Sequence, residues 1–242
     1  MYLPHPIGDP LKIPDLTFDQ FKAFHSDYYH PCNSRVFFYG NDDPMKRLNL
    51  LDEYLQDFDA KDVNSNVQFQ PKFTEPRRLE VKFPISPNTE VKHMITVNWL
   101  LNEEHLSTKD MFALNVLDSL MLGTSAAPLR KTLTESQLGE SVTGGGLSDE
   151  LLQATFSAGM KGVKPENVKK VEDLVLATLE KLSMEGFDQA AVDAAMNTFE
   201  FRMREFNTGS FPKGLSVMLG MMSQWIYDKN PVDGVVRRRL YT

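Results

Sequence analysis

The sequence has a single cysteine, Cys32, so it holds no internal disulfide and no all-cysteine zinc site. Such sparse cysteine predicts a reducing compartment. Its five histidines are His5, His25, His30, His93 and His105, and no two lie four residues apart. Both zinc-helix motifs, His-Glu-x-x-His and His-x-x-Glu-His, need that spacing to set two imidazoles on one helix face, so neither is present. No apolar run approaches the roughly 20 residues of a membrane span. The dense stretch Val36–Tyr39 is ended at once by Gly40, Asn41 and Asp42. Positive charge is not in excess: 26 Lys and Arg face 33 Asp and Glu, a net charge of −7. That balance argues against nucleic acid as a partner, since phosphate binding draws on clustered cations. The opening Met1-Tyr2-Leu3-Pro4-His5-Pro6 has no basic n-region and no apolar h-region, and it is not an Arg- and Ser-rich transit peptide. No targeting peptide, membrane partner or nucleic-acid partner is therefore expected.

What is present is a globular composition. Hydrophobic residues make up 41% of 242, which excludes disorder of the whole chain and suffices for one large domain or two small ones. Thr17 and Gln20 form a capping box, and Phe18, Phe21, Phe24 and Tyr28 recur at helical spacing, so residues 17–29 read as an amphipathic helix stopped by Pro31. Arg35–Tyr39 reads as a buried strand. Asp43 and Pro44 open a second helix over 44–58, with Leu48, Leu51, Leu55 and Phe58 on one face. Residues 59–76 lose all periodicity, and a structureless stretch of that length marks a domain boundary.

Beyond it, Leu79, Val81 and Phe83 alternate with Arg78, Glu80 and Lys82, which predicts a half-buried strand. A second strand is read at 93–101. Ser107 and Asp110 cap a helix running to Gly123, and a short helix follows near 127–136. Strands near 139–146 and 152–162 flank a turn or bulge at Gly144-Gly145-Gly146. Helices follow from Pro165 to Gly186, from Asp188 with Val192, Ala195, Met196, Phe199, Met203 and Phe206 inward, and over 213–228. Strand pairs alternating with helix groups give an α+β fold, an antiparallel-rich sheet with helices on one face.

Few residues suggest chemistry. Glu103-Glu104-His105 sits in a polar connection and reads as a solvated turn. Cys32 lacks a helix N-terminus to activate it and reads as a structural thiol. The glycine triplet lacks the Gly-Lys-Ser/Thr ending of a phosphate loop. The methionines of the last two helices read as core filler rather than a binding groove. No catalytic residue and no metal ligand is assigned.

One segment, Asp27-Tyr28-Tyr29-His30-Pro31-Cys32-Asn33-Ser34-Arg35-Val36-Phe37-Phe38-Tyr39-Gly40-Asn41, resembles the pitrilysin-type (M16) zinc metallopeptidases. Gly8-Asp9-Pro10, Val97-Asn98-Trp99-Leu100-Leu101, Leu120-Met121-Leu122-Gly123-Thr124, Pro128-Leu129-Arg130-Lys131, Asp149–Gln153 and Asn207–Leu215 narrow the resemblance to the presequence protease subfamily. It implies a clamshell enzyme whose two halves, each of two related α+β domains, enclose a chamber. It also implies cleavage of targeting presequences and short unstructured peptides in the mitochondrial matrix or plastid stroma. Residues 1–60 would be the tail of a first domain, 61–76 a linker, 77–230 a second domain and 231–242 an unassigned tail. The family's zinc site would precede Met1, so this chain carries no cofactor although the full-length family uses zinc. Its expected partners are peptide substrates and the remainder of the clamshell. The loop Gly123 to Pro128 resembles one that faces the chamber, with Ala127 where Ser is usual. Gly123, Thr124 and Pro128 are therefore the candidate substrate-binding residues. Two alternatives stay open: a non-catalytic structural or peptide-binding module of the same fold, or the product of a truncated gene.

Overall fold

The structure is a computed structural model that describes residues 9–85, 90, 92–205 and 207–232. In chain order its elements are α1 (Phe18–Tyr28), α2 (Pro44–Leu55), β1 (His93–Leu100), α3 (Thr108–Leu122), α4 (Pro128–Glu135), β2 (Ser141–Ser148), β3 (Thr155–Val163), α5 (Val168–Glu185), α6 (Gln189–Arg204) and α7 (Lys213–Trp225). The helix starts follow from their caps. Thr17 and Gln20 close the reciprocal box at α1. Asp43, Ser107 and Asp188 accept from the Met45, Asp110 and Ala191 amides at 2.9, 3.1 and 3.3 Å. α5 ends at Gly186, whose φ of 74° favours glycine.

The chain divides into two compact units. One joins the residues up to Gln68 with those from Thr208, and the other is Phe69–Asn207. The second unit is built on a three-stranded antiparallel sheet of order β1-β3-β2. Register pairs Ile95, Val97 and Trp99 with Met160, Ala158 and Phe156, while Val142 and Leu147 face Met160 and Phe156 across the other side. Those side chains share one face, and Leu129, Leu133, Val171 and Val175 of α4 and α5 pack against it. α6 lies along α3, where Phe199 meets Phe112 edge-on at 5.6 Å. Helices on one face of an antiparallel sheet are the expected α+β arrangement.

Two expected strands do not form. Arg35–Tyr39 and Arg77–Phe83 both run extended without a ladder partner. A strand is stabilised by its neighbours rather than by its own sequence. Leu79 and Val81 are accordingly 88% and 83% exposed. The glycine triplet also moves: it is a bulge inside β2, between Thr143 and Gly146, not the link to β3. The last helix stops at Trp225, before the expected 228. Phe206, Gly8 and the tail beyond Val232 lie outside the described residues.

The first unit holds α1, α2 and α7. Arg35 reaches Asp228 at 3.2 Å and lies over the Trp225 ring, and the Tyr39 ring occupies the space a Cβ on Gly214 would need. Among the described residues none of its side chains is buried, and every buried hydrophobic belongs to the second unit.

Gly159 sets how closely β1 and β3 approach, because a Cβ there would overlap the Ile95 carbonyl oxygen. Gly159→Val is expected to lower stability by about 3 kcal/mol or to abolish folding of the second unit. Urea unfolding followed by Trp99 fluorescence measures it, and an unchanged midpoint would disprove this reading of the approach.

Candidate functional site

The Gly123–Pro128 loop joins α3 to α4. Gly123 ends α3 by donating its amide to the Ser119 carbonyl at 2.9 Å. The Ala127 amide then turns back to the Thr124 carbonyl at 3.1 Å, and Pro128 takes the first position of α4, where its missing N–H costs nothing. Arg130 secures the other side: its Nε donates to the Leu122 carbonyl at 2.6 Å, a cation at the C-terminal end of α3. Gly123 and Thr124 are exposed, Pro128 is half-buried and Ala127 is buried. The loop thus presents the hydroxyls of Thr124 and Ser125 and backbone groups on a rigid base. It contains no acid, base or activated nucleophile of its own.

Beneath it, Asp118 of α3 reaches the β2 bulge. Its Oδ1 accepts the Leu147 amide at 3.0 Å and fills the space where Gly146 lacks a Cβ. Burial pushes the Asp118 carboxyl above its ordinary value, and Asp149 adds to the rise. The Leu147 amide and the Arg130 charge oppose it. Asn115 bridges the Met111 carbonyl and the Asp149 carboxylate at 3.0 and 3.1 Å. Asp118, Asn115 and Arg130 therefore fix the end of α3, and with it the loop.

The other sequence candidates take structural places. The backbone amide of Lys72 donates to Glu103 at 2.8 Å, the Asn102 amide donates to the Glu104 carbonyl at 2.8 Å, and His105 stands edge-on to Phe69. His25 stacks on Tyr29, and Nδ1 of His30 accepts the Cys32 amide at 3.2 Å. Cys32 is exposed, and its Sγ accepts the Lys61 amide at 3.5 Å. His5 lies outside the described residues. Among the described residues no three His, Cys, Asp or Glu side chains converge on a point where a metal could sit. The donor set does not fit zinc, which needs three or four such ligands. No helix of the described residues is long and apolar enough to cross a membrane.

An open cavity of about 1000 Å³ belongs to the first unit, walled by Phe24, Tyr28, His30, Phe58, Asn33 and Ser65. No charged side chain lines it. It shares no residue with the Gly123–Pro128 loop.

Sequence reasoning missed Gln153, the only strongly polar side chain among the largest fully buried ones. Its Oε1 accepts the Gln70 amide at 2.6 Å, and its Nε2 donates to the Gln70 and Asn102 carbonyls at 3.1 and 2.7 Å. The apolar neighbours Leu152 and Ala154 were the available signal.

Residues 15–199 match the family described as the peptidase M16 inactive domain. The chain belongs to that family. As an M16 inactive-domain chain it is 55% identical over 230 residues to presequence protease 1, chloroplastic/mitochondrial, of Arabidopsis thaliana, covering 93% of this chain and 21% of that protein. It is 33% identical to the mitochondrial presequence protease of Mus musculus, over 93% of this chain and 22% of that one. Protein HypA of Clostridium perfringens is 33% identical over 93% of the M16 chain and 23% of its own length. The chain thus spans about a fifth of the length of the curated relatives it matches. A solved inactive peptidase domain from Bordetella parapertussis superposes with a TM-score of 0.48 at 20% identity, over 62% of this chain and 78% of that one.

Asp118→Asn tests the electrostatics beneath the loop. A carboxyl with a raised folded-state pKa contributes its stability in acid and loses it as pH rises through that pKa. The amide keeps an acceptor for Leu147 and carries no charge. The variant is therefore expected to gain on the parent between about pH 3 and neutrality, read as urea midpoints at each pH. A pH-independent difference would sink this account of Asp118.

Proposed function

We propose that this chain is a non-catalytic part of a zinc metalloendopeptidase of the presequence-protease type, which degrades targeting presequences and other short unstructured peptides. The 55% identity to a presequence protease across 93% of the chain carries this reading. The names of the relatives support a place in the mitochondrion or the plastid, and the matrix or the stroma is the compartment proposed within them. Residues 1–60 would belong to a first domain, 61–76 to a connector and 77–230 to a second domain. The remainder of the longer protein would supply the zinc ligands and the glutamate that activates water. It would also cover the apolar faces of α1 and α2 and pair with the open edges of residues 35–39 and 77–83.

Within that enzyme, Gly123, Thr124 and Pro128 would touch the peptide. An exposed hydroxyl and backbone groups on a capped loop can bond an extended main chain whatever its side chains, as a degrading enzyme of broad substrate range requires. This role is one of positioning and involves no bond-making step at these residues.

The isolated chain is expected to retain no zinc by elemental analysis and to leave a fluorogenic presequence peptide uncut. Stoichiometric zinc, lost on chelation together with cleavage, would overturn the reading. The loop is tested separately. A benzophenone amino acid placed at Thr124 should photo-crosslink a presequence peptide, whereas the same group at exposed Lys181 should not. Equal yields at both positions would remove the loop from the site.

A further inference from the structure

Aperiodic composition reads 61–76 as a loose linker, but the structure ties down both of its ends. On the N-terminal side, Nζ of Lys61 donates to the Ser26 and Asp27 carbonyls at 2.9 and 3.3 Å, at the end of α1. The Ser65 hydroxyl donates to Asn33 at 2.6 Å, and Asn33 in turn donates to the Tyr28 carbonyl at 3.0 Å. These contacts all lie within the first unit. On the C-terminal side, the buried amide of Gln153 takes both backbone groups of Gln70, Glu103 takes the Lys72 amide, and Phe69 packs on His105. Those contacts all lie within the second.

Between the two sets stand Asn66, Val67 and Gln68. Among the described residues Asn66 bonds only to Asn64, at 3.2 Å. Among the described residues Val67 and Gln68 form no hydrogen bond, and both are exposed. The boundary between the two compact units falls at the end of this stretch, between Gln68 and Phe69.

We propose that Gln153 is a latch that fastens residues 69–72 to the second unit, so that of the stretch 61–76 only Asn66–Gln68 is left between the two anchored ends. Gln153 imitates a backbone partner: its side-chain amide offers one acceptor and one donor to Gln70, as a neighbouring strand would. Residues 69–72 are thereby fastened to the second unit, and on this crossing of the chain only Asn66–Gln68 stand between the two sets of contacts.

Hydrogen exchange at residue resolution on the whole chain tests this. The amides of Gln70 and Lys72 should exchange at least about tenfold more slowly than those of Val67 and Gln68. Gln153→Ala should erase the protection at Gln70 while Phe156 and Ala158 of β3 stay protected. Should that variant unfold, Glu103→Ala changes only a surface acceptor and should release Lys72 alone. Uniformly fast exchange across 61–76 in the parent chain would restore the loose linker and overturn the proposal. Protection at Gln70 that survives in a folded Gln153→Ala variant would overturn the latch.

Discussion

The second unit depends on β3 being paired on both sides. β3 is the sole strand of the sheet with two neighbours, and Phe156, Ala158, Met160 and Val163 on it are all buried. Its backbone pairs with β1 on one side and, apart from the bulge opposite Ala158, with β2 on the other. Its apolar face then becomes the surface on which α4 and α5 settle. Gly159 allows β1 to come close, and the glycines of β2 let that strand bulge around Asp118. Take away the double pairing and neither the core of α4 and α5 nor the seat of the Gly123–Pro128 loop has a floor.

In the proposed reading, that dependence lets a domain to which no catalytic residue is assigned hold the loop in place. Arg130 grips the last turn of α3 and Asp118 grips β2, so the loop between α3 and α4 is held from two directions. The cost is a carboxylate kept partly out of water, tolerated because an amide and a guanidinium face it. The positioning role proposed for the loop would need rigidity rather than reactivity, and ordinary packing of the second unit is a source of it.

Much of this was legible in the residues. Thr17, Asp43, Ser107 and Asp188 announce helix starts, because a capping side chain acts on its own neighbours. The alternation of Ile95, Val97 and Trp99, and of Phe156, Ala158 and Met160, announces strands that find partners. The same alternation at Leu79, Val81 and Phe83 misleads, because pairing depends on what lies beside a strand and periodicity records only which face is apolar. The glycine triplet could be read as a backbone irregularity, but inside β2 it lies against Asp118, whose carboxylate accepts the Leu147 amide 29 residues further on, a contact invisible to local pattern. Gln153 escaped notice for a similar reason: its partner is the backbone of Gln70, and backbone groups leave no mark in a sequence. The Gly123–Pro128 loop came from family resemblance alone, since its residues carry no chemistry that composition or spacing could flag.

The two units differ in kind, and the difference bears on what this chain is. The second has a buried apolar core. The first has helices of 11 and 12 residues at α1 and α2, lengths at which an isolated helix is marginal in water. Its order rests on caps, on Lys61 across the end of α1 and on Arg35 against Trp225 and Asp228. Caps contribute about 1 kcal/mol each and exposed ion pairs less, while fixing each residue's backbone costs about as much as one cap. Polar contacts of this number cannot balance the ordering of so many residues, so hydrophobic burial must supply the rest. Phe18, Phe21 and Phe24 stand ready along one side of α1, more than half exposed. A stable first unit therefore requires a further apolar surface to cover that face, and in the proposed reading the remainder of a longer peptidase provides it.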